Sequence, residues 1–292
     1  MAASVPRMDA MTDAVAEARR AYAEDLRSRA GLRSEALVEA FATVPRERFV
    51  GPAPWRIKNP SEFADFWTVT GPDPRPLYQD VLVALDRARG INNGQPSLWA
   101  QVFDRLDLRP GMTIVHLGCG TGYYTAILAE AVGPDAPITA VEIDAGLVAR
   151  AREALSLWPQ VRVVAGDGAK MALPEADLVV ASAGATHPLA LWLDALAPGG
   201  QLLFPMTSAF GPGAMLLVTR RTGTAHAAEF LCGAAFIAFV GARDEAIGRR
   251  LASALSRDGG DPVRSLRRDE HAEEASCWLH GRGWCLSRRE PG

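Results

Sequence analysis

The chain has 292 residues, 48% of them apolar and 22% charged, the balance of an ordinary globular protein with enough length for a large core. Its formal net charge of −3 lacks the basic surplus of a nucleic-acid binder and is too small to select a strongly charged partner. The opening MAASVPRMDAMTD has no signal-peptide core, and the longest apolar stretch, Phe230 to Ala242, is too short for a membrane span and carries glycines. A cytoplasmic protein with no membrane partner is expected, and with it no disulfide framework among Cys119, Cys232, Cys277 and Cys285.

In chain order, residues 9–49 read as helical. AVAEARRAYAEDLRSRAGL is rich in helix formers, and a second helix is expected over Ser34–Thr43, with Ser34 as N-cap and Pro45 beyond its end. Residues 50–96 hold seven prolines with Trp55, Phe63, Phe66 and Trp67 between them, and read as an irregular, aromatic-bearing segment. Leu98, Val102, Phe103 and Leu106 recur at helical spacing.

Beyond them short apolar strands alternate with helices: MTIVHL, YTAILAEAV, ITAVEI, a helix from Leu147 to Leu157, VRVVA and DLVVAS. A helix after Pro188 should run to Leu196 and stop at Pro198-Gly199-Gly200, followed by strands QLLFPM and AMLLVTR. Such alternation predicts an α/β fold, a Rossmann-like, doubly wound and mostly parallel sheet. AMLLVTR and the apolar run 230–240 fit an antiparallel pair at its edge. The expected organisation is a helical segment with a substrate-side loop over 1–96, a cofactor-binding domain over 97–240, and a small, charge-rich C-terminal extension over 241–292.

The chemistry concentrates in Gly118-Cys119-Gly120-Thr121-Gly122, between a strand and a helix. Glycines there let the backbone turn tightly and approach a ligand. Glu142 ends the next strand, 24 residues after Gly118, where a carboxylate can accept hydrogen bonds from both ribose hydroxyls. A dinucleotide fingerprint would need glycine at 123, where Tyr123 stands. Gly118-x-Gly120-x-Gly122 instead resembles the first motif of class I methyltransferases, which bind S-adenosyl-L-methionine. Asp167, in Gly166-Asp167-Gly168, then suits the adenine amino group. A strand–turn–helix connection without ligand is the competing reading.

Further segments resemble the protein-L-isoaspartate O-methyltransferase family: Val44-Pro45-Arg46-Glu47-Arg48-Phe49-Val50, Tyr78-Gln79-Asp80, Gly90-Ile91-Asn92-Asn93-Gly94-Gln95-Pro96, Gly166-Asp167-Gly168 and Ser182-Ala183-Gly184-Ala185. The resemblance covers about residues 34–240. It implies methyl transfer to a carboxylate of a protein or peptide, with Gly118, Gly120, Gly122, Glu142, Asp167 and Gly168 on the cofactor. It also aligns Gly94 with the family's functional serine, and His116 with an acidic residue near the cofactor's amino group. A neutral His116 can accept that hydrogen bond, so cofactor binding should weaken as pH falls through its titration range. A packed strand-end histidine is the alternative.

A carboxylate is already ionised at neutral pH, so no general base or catalytic triad is expected. Asn92, Asn93 and Gln95 are candidates to position the acceptor through their amides, or simply to form a turn. Trp99 either walls the acceptor pocket or packs within its helix, and Asp80 either orients the Asn92 loop or is a solvated turn residue; packing and turn are preferred. Two alternatives stand beside carboxyl methylation: a tailoring methyltransferase for a modified peptide or small molecule, favoured by Gly94, and a degenerate cofactor-binding interaction module. No N-P-P-Y-type motif for nucleic-acid amine methylation occurs. Cys277-x-x-His280, Cys285 and His271 faintly resemble zinc ligands, but no metal is expected; a β-hairpin, Ser276–Leu279 with Trp284–Ser287, is preferred. The sequence sets no oligomeric state.

Overall fold

The computed structural model describes residues 5–60, 65–221 and 225–292. They form two compact units interleaved along the chain: Met1–Gly111 with Thr121–Asp135 and Ala149–Gln160, and Met112–Gly120 with Ala136–Val148 and Val161–Gly292.

The first unit opens with helices α1 (Val5–Ala30), α2 (Glu35–Thr43) and α3 (Glu47–Val50). Ser34 caps α2 as expected, its Oγ accepting from the Leu37 amide at 3.3 Å. Helix α2 buries Leu37, Val38, Ala40 and Phe41 and packs between α1 and α5 (Tyr123–Val132). Four strands follow, β1 (Trp55–Lys58), β2 (Trp67–Val69), β3 (Leu82–Asp86) and β4 (Ile91–Asn92), and then α4 (Pro96–Phe103).

The strands make an antiparallel sheet in the order β2-β1-β3-β4, so the segment expected to be irregular carries a small sheet. Trp55 and Ile57 point inward while Arg56 and Lys58 alternate outward, and a small core joins them to Val50, Leu77, Val81 and Val83. The prolines that hid this pattern lie in the connections, with Pro52 and Pro54 before β1 and Pro72, Pro74 and Pro76 between β2 and β3. Residues 61–64, and Phe63 with them, lie outside the described residues.

Arg46 holds this unit together. It is fully buried. Its Nε donates to Asn93 Oδ1 at 3.0 Å, Nη1 to the carbonyls of Leu77 at 2.8 Å and Gln79 at 3.0 Å, and Nη2 to that of Val81 at 2.6 Å. The guanidinium also lies over the Tyr123 ring, 5.6 Å from its centroid. Beside it, Glu47 accepts from the Tyr78 hydroxyl, and Arg48 donates to the carbonyls of Ala154 and Glu153 near the end of α6 (Ala145–Ala154). The Pro-Arg-Glu-Arg segment is therefore a polar clasp with Arg46 as its buried centre.

The second unit carries a ten-stranded sheet: β5 (Ile114–Leu117), β6 (Ile138–Glu142), β7 (Val161–Ala165), β8 (Ala176–Ala181), β9 (Leu196–Met206), β10 (Ala214–Arg220), β11 (His226–Gly233), β12 (Ser265–Arg267), β13 (Cys277–Gly281) and β14 (Trp284–Ser287). The spatial order is β13-β14-β12-β11-β10-β9-β8-β5-β6-β7. All pairs from β7 to β9 are parallel, and from β5 the chain winds first outward through β6 and β7, then the other way through β8 and β9. That reversal is the switch point at which α/β sheets bind ligands, and the glycine loop follows β5.

AMLLVTR forms an antiparallel pair as expected, but its partner is β11, which shares only residues 230–233 with the expected run 230–240, and the pair is not the edge, because β12 to β14 continue the sheet beyond it. Helices α7 (Ala190–Asp194) and α8 (Glu245–Asp258) belong to this unit, α8 capped by the Asp244 carboxylate on the Ile247 amide at 2.9 Å. The core joins Leu117, Val179, Phe204 and Leu216 of the sheet to Trp192, to Leu251 and Leu255 of α8, and to Trp278 and Leu286 of the last hairpin. Pro198-Gly199-Gly200 does not stop a helix: α7 ends at Asp194, and the three residues form an irregularity inside β9, where the register moves from Ala176↔Leu196 to Leu178↔Gln201. A Cβ on Gly200 would stand 3.0 Å from the Ala176 carbonyl oxygen, which explains the glycine. Among the described residues no helix is long and apolar enough to cross a membrane.

His116 lies within β5, 1% exposed, with Nε2 2.7 Å from Ser182 Oγ. Burial lowers its pKa from 6.5 to about 4. As pH falls below 6.5 the unfolded chain takes up a proton that the folded chain refuses until about 4, so stability is lost across that window. The shift corresponds to roughly 3 kcal/mol. Urea unfolding at steps from pH 7 to 4 should show this slope in the wild type and a shallower one in His116→Gln; equal slopes would refute it. For the clasp, Arg46→Met leaves three carbonyls and Asn93 without their donor and should lower the unfolding free energy by about 3 kcal/mol or more. Arg46→Lys, with one compact ammonium, should fall between. A loss below about 1 kcal/mol in Arg46→Met would show that water or neighbouring groups replace the guanidinium.

Candidate active site

On the second unit, the loop after β5 is anchored by its first amides, Gly118 and Cys119, both donating to the Val141 carbonyl at 2.8 and 3.1 Å. Gly118 and Gly120 have φ of +67° and +59°, conformations that disfavour any side chain. Open space surrounds the Cβ direction of Gly120, leaving its backbone accessible on that side. The Gly120 amide donates to Glu142 Oε2 at 2.8 Å. Glu142 is 6% exposed, and its Oε1 accepts from the amides of Ile143 and Asp144 at 2.9 and 3.0 Å. Three backbone amides thus fix the carboxylate at the end of β6, and lone pairs remain for hydroxyl donors. The Cys119 thiol of the loop is buried, which raises its pKa and keeps it a thiol.

The Asp167 carboxylate follows β7. Its Oδ1 accepts from the Ala169 amide at 2.9 Å and its Oδ2 faces Lys170 Nζ at 3.1 Å. The Ala169 amide leads in holding its pKa below the usual carboxylate value, with Lys170 adding to the effect. Gly168 is set by close packing: a Cβ there would meet Phe239 at 3.1 Å and Leu117 at 3.3 Å. Its carbonyl accepts from the Trp192 indole at 2.8 Å, which ties this loop to the core. The acceptor set fits an adenosyl group, with carboxylate oxygens at Glu142 to receive hydroxyls and at Asp167 to receive an amine. His116 sits deeper in β5, and its lowered pKa keeps it neutral above about pH 5, so its titration falls below the range expected from the sequence.

On the first unit, Gly122 caps α5 with φ of +94°, and a Cβ there would stand 2.5 Å from Leu155 Cδ1. The Asn92–Gln95 loop is a dense local network. Asn92 Oδ1 accepts from the Gly94 amide at 2.8 Å, the expected turn, while among the described residues its Nδ2 makes only a long 3.4 Å contact, with the Gly90 carbonyl. Asn93 is buried, its Oδ1 on Arg46 and its amide on the Val83 carbonyl. Gln95 Nε2 donates inside the loop, to Asp80 Oδ2 at 3.1 Å and Ser97 Oγ at 2.9 Å.

Asp80 is no solvated turn residue, because it also accepts from the Ser97 amide at 2.8 Å and the Ser97 hydroxyl at 2.7 Å, at the start of α4. Trp99 is 1% exposed and packs on Phe103 and Tyr124, each ring centroid 5.1 Å away. Gly94, at φ +78°, lies against this aromatic pair, and a Cβ would stand 2.9 Å from Trp99 Nε1 and 3.0 Å from Tyr124 Cε2. The Tyr124 hydroxyl donates to the Gly94 carbonyl at 3.1 Å. Ser97, Tyr124 and Trp192 carry no sequence signal of these roles, since their partners lie 17 to 30 residues away.

The sequence model of the protein-L-isoaspartate(D-aspartate) O-methyltransferase family matches residues 71–244. A protein-L-isoaspartate O-methyltransferase of Methanothermobacter thermautotrophicus is 30% identical over 227 residues, 76% of this chain and 95% of that protein. One from Methylorubrum populi is 35% identical, over 65% of this chain and 80% of its own length. Among solved structures, a protein-L-isoaspartate O-methyltransferase superposes with a TM-score of 0.62 at 20% identity, covering 82% of this chain and 69% of that one. A Plasmodium falciparum structure described as a putative enzyme of the same name, in complex with S-adenosyl-L-homocysteine, gives 0.60 at 16% identity, covering 76% and 98%. These likenesses extend the correspondence from the motifs to most of the chain: it is a methyltransferase and belongs to the protein-L-isoaspartate(D-aspartate) O-methyltransferase family.

Proposed function

We propose that the protein transfers a methyl group from S-adenosyl-L-methionine to a carboxylate of a protein or peptide, with an isoaspartyl residue as the acceptor. The observation that carries this reading is the pair of carboxylates, Glu142 and Asp167, held by backbone amides at the C-terminal ends of neighbouring parallel strands in a chain of this family. Glu142 would take the ribose hydroxyls and Asp167 the adenine amine, with Gly118 and Gly120 letting the backbone approach and residues 97–240 carrying the cofactor chemistry. A cytoplasmic setting goes with this reading.

Bound S-adenosyl-L-methionine supplies a methyl group on a sulfonium, a leaving group that departs neutral. The acceptor carboxylate is ionised at neutral pH, so the chain has no proton to remove and must chiefly orient the acceptor and exclude water. Asn92 is our candidate to touch the acceptor, because among the described residues its Nδ2 has only the long contact to Gly90. Asn93, Gln95 and Asp80 act as positioning residues, the first through Arg46 and the other two through Ser97. Trp99 and Gly94 shape the loop from beneath.

Methyl transfer from labelled cofactor to an isoaspartyl peptide, beside its aspartyl twin, tests the reading; base-labile label on the isoaspartyl peptide alone is expected. Label on neither peptide, with cofactor bound, would reject the isoaspartyl acceptor. Glu142→Gln should raise KM for the cofactor about 10-fold or more, and Asn92→Ala should lower kcat/KM for the peptide about 10- to 100-fold, the worth of a hydrogen bond to a charged group. Gly94→Ser, which supplies the family's serine, should lose about 2 kcal/mol or more of stability through its left-handed backbone and the Trp99–Tyr124 contact. It should gain no activity; a stable, faster Gly94→Ser enzyme would overturn this account of the position.

A further inference from the structure

The last hairpin brings together four metal-ligating side chains that methyl transfer does not use. His271 precedes the hairpin in a stretch without regular structure, Cys277 opens β13, His280 lies near its end, and Cys285 lies on β14 opposite His280. Their ligand atoms all fall within 4.8 Å of one another. Cys277 Sγ is 3.5 Å from His271 Nε2 and 3.8 Å from His280 Nδ1. Tetrahedral zinc with ordinary Zn–S and Zn–N bonds separates its ligand atoms by roughly 3.3–3.8 Å, so these two separations already match and the rest need only a modest contraction. The hairpin preferred from sequence is present, and it is what assembles the cluster.

We propose that His271, Cys277, His280 and Cys285 form a structural zinc site. Two thiolates offset the ion's charge, and the two neutral imidazoles complete a closed tetrahedral set with no position for substrate. The surroundings are those of a metal site. His271 Nδ1 lies 2.9 Å from the Asp269 carbonyl and 3.3 Å from its carboxylate, which turns Nε2 toward the cluster. Asp269 is itself held by Arg267, through Nε at 3.0 Å and Nη2 at 2.7 Å. The Glu274 amide points at Cys277 Sγ at 3.5 Å, a donor suited to a thiolate. Both cysteines are buried. The ion would pin the irregular stretch 268–276 to the hairpin, stapling a part of the fold that offers few apolar contacts of its own.

The test uses the full chain, produced with added zinc and dialysed. Elemental analysis should find one zinc per chain, and replacement by cobalt(II) should give the ligand-field and sulfur charge-transfer bands of a tetrahedral thiolate site. Cys277→Ser with Cys285→Ser should abolish both signals. Asp269→Ala, which leaves all four ligands in place, should weaken zinc affinity about 10- to 100-fold in a chelator competition and keeps the test open should the cysteine variant fail to fold. Trace zinc only, zinc retained in the folded double variant, or a Cys277–Cys285 disulfide in freshly prepared protein would each overturn the proposal.

Discussion

A buried guanidinium cannot shed its proton, and every N–H left without an acceptor in the interior costs free energy. Arg46 meets that constraint by drawing three backbone carbonyls, from Leu77, Gln79 and Val81, and the side chain of Asn93 around one planar fork. Those carbonyls belong to the stretch that leads into β3, and Asn93 belongs to the acceptor loop. The geometry of the loop is therefore set by the interior of the first unit. Asp80 repeats the logic with opposite charge, gathering Gln95 and Ser97 on one carboxylate. The loop is organised by two charges of opposite sign, each satisfied mainly by neutral partners.

The parallel half of the sheet was legible because each strand is a short apolar run followed by a turn or helix signal, and because β5 is followed by a glycine loop whose positive φ values leave few other residues possible. Glu142 was legible for the same reason: its place at the strand end follows from the period of the fold. The β1–β4 sheet was not, because its inward residues are few and prolines crowd the connections, so composition masked alternation. Pro198-Gly199-Gly200 misled in the opposite direction, since a helix stop and a strand irregularity draw on the same residue types.

In the candidate site the limit was contact at a distance. Asn92, Asn93, Gln95 and Asp80 could be named from sequence, but their division of labour depends on where Arg46 and Ser97 stand, which no local pattern reveals. Gly94 is the clearest case. In sequence it is a missing serine; in the fold the space that a side chain there would need belongs to Trp99 and Tyr124. The absence of a side chain at Gly94 and the packing of Trp99 and Tyr124 are one structural fact seen from two sides.

The antiparallel continuation of the sheet has a consequence for association. A sheet that stopped at β11 would leave the backbone groups of an eight-residue, partly apolar strand open to pairing with another molecule. Here β12, β14 and β13 move that boundary outward to a strand of five residues whose register breaks between Cys277 and Leu279. A short, irregular border is a poor template for a further strand, so the last hairpin shields this edge of the sheet against pairing with another molecule.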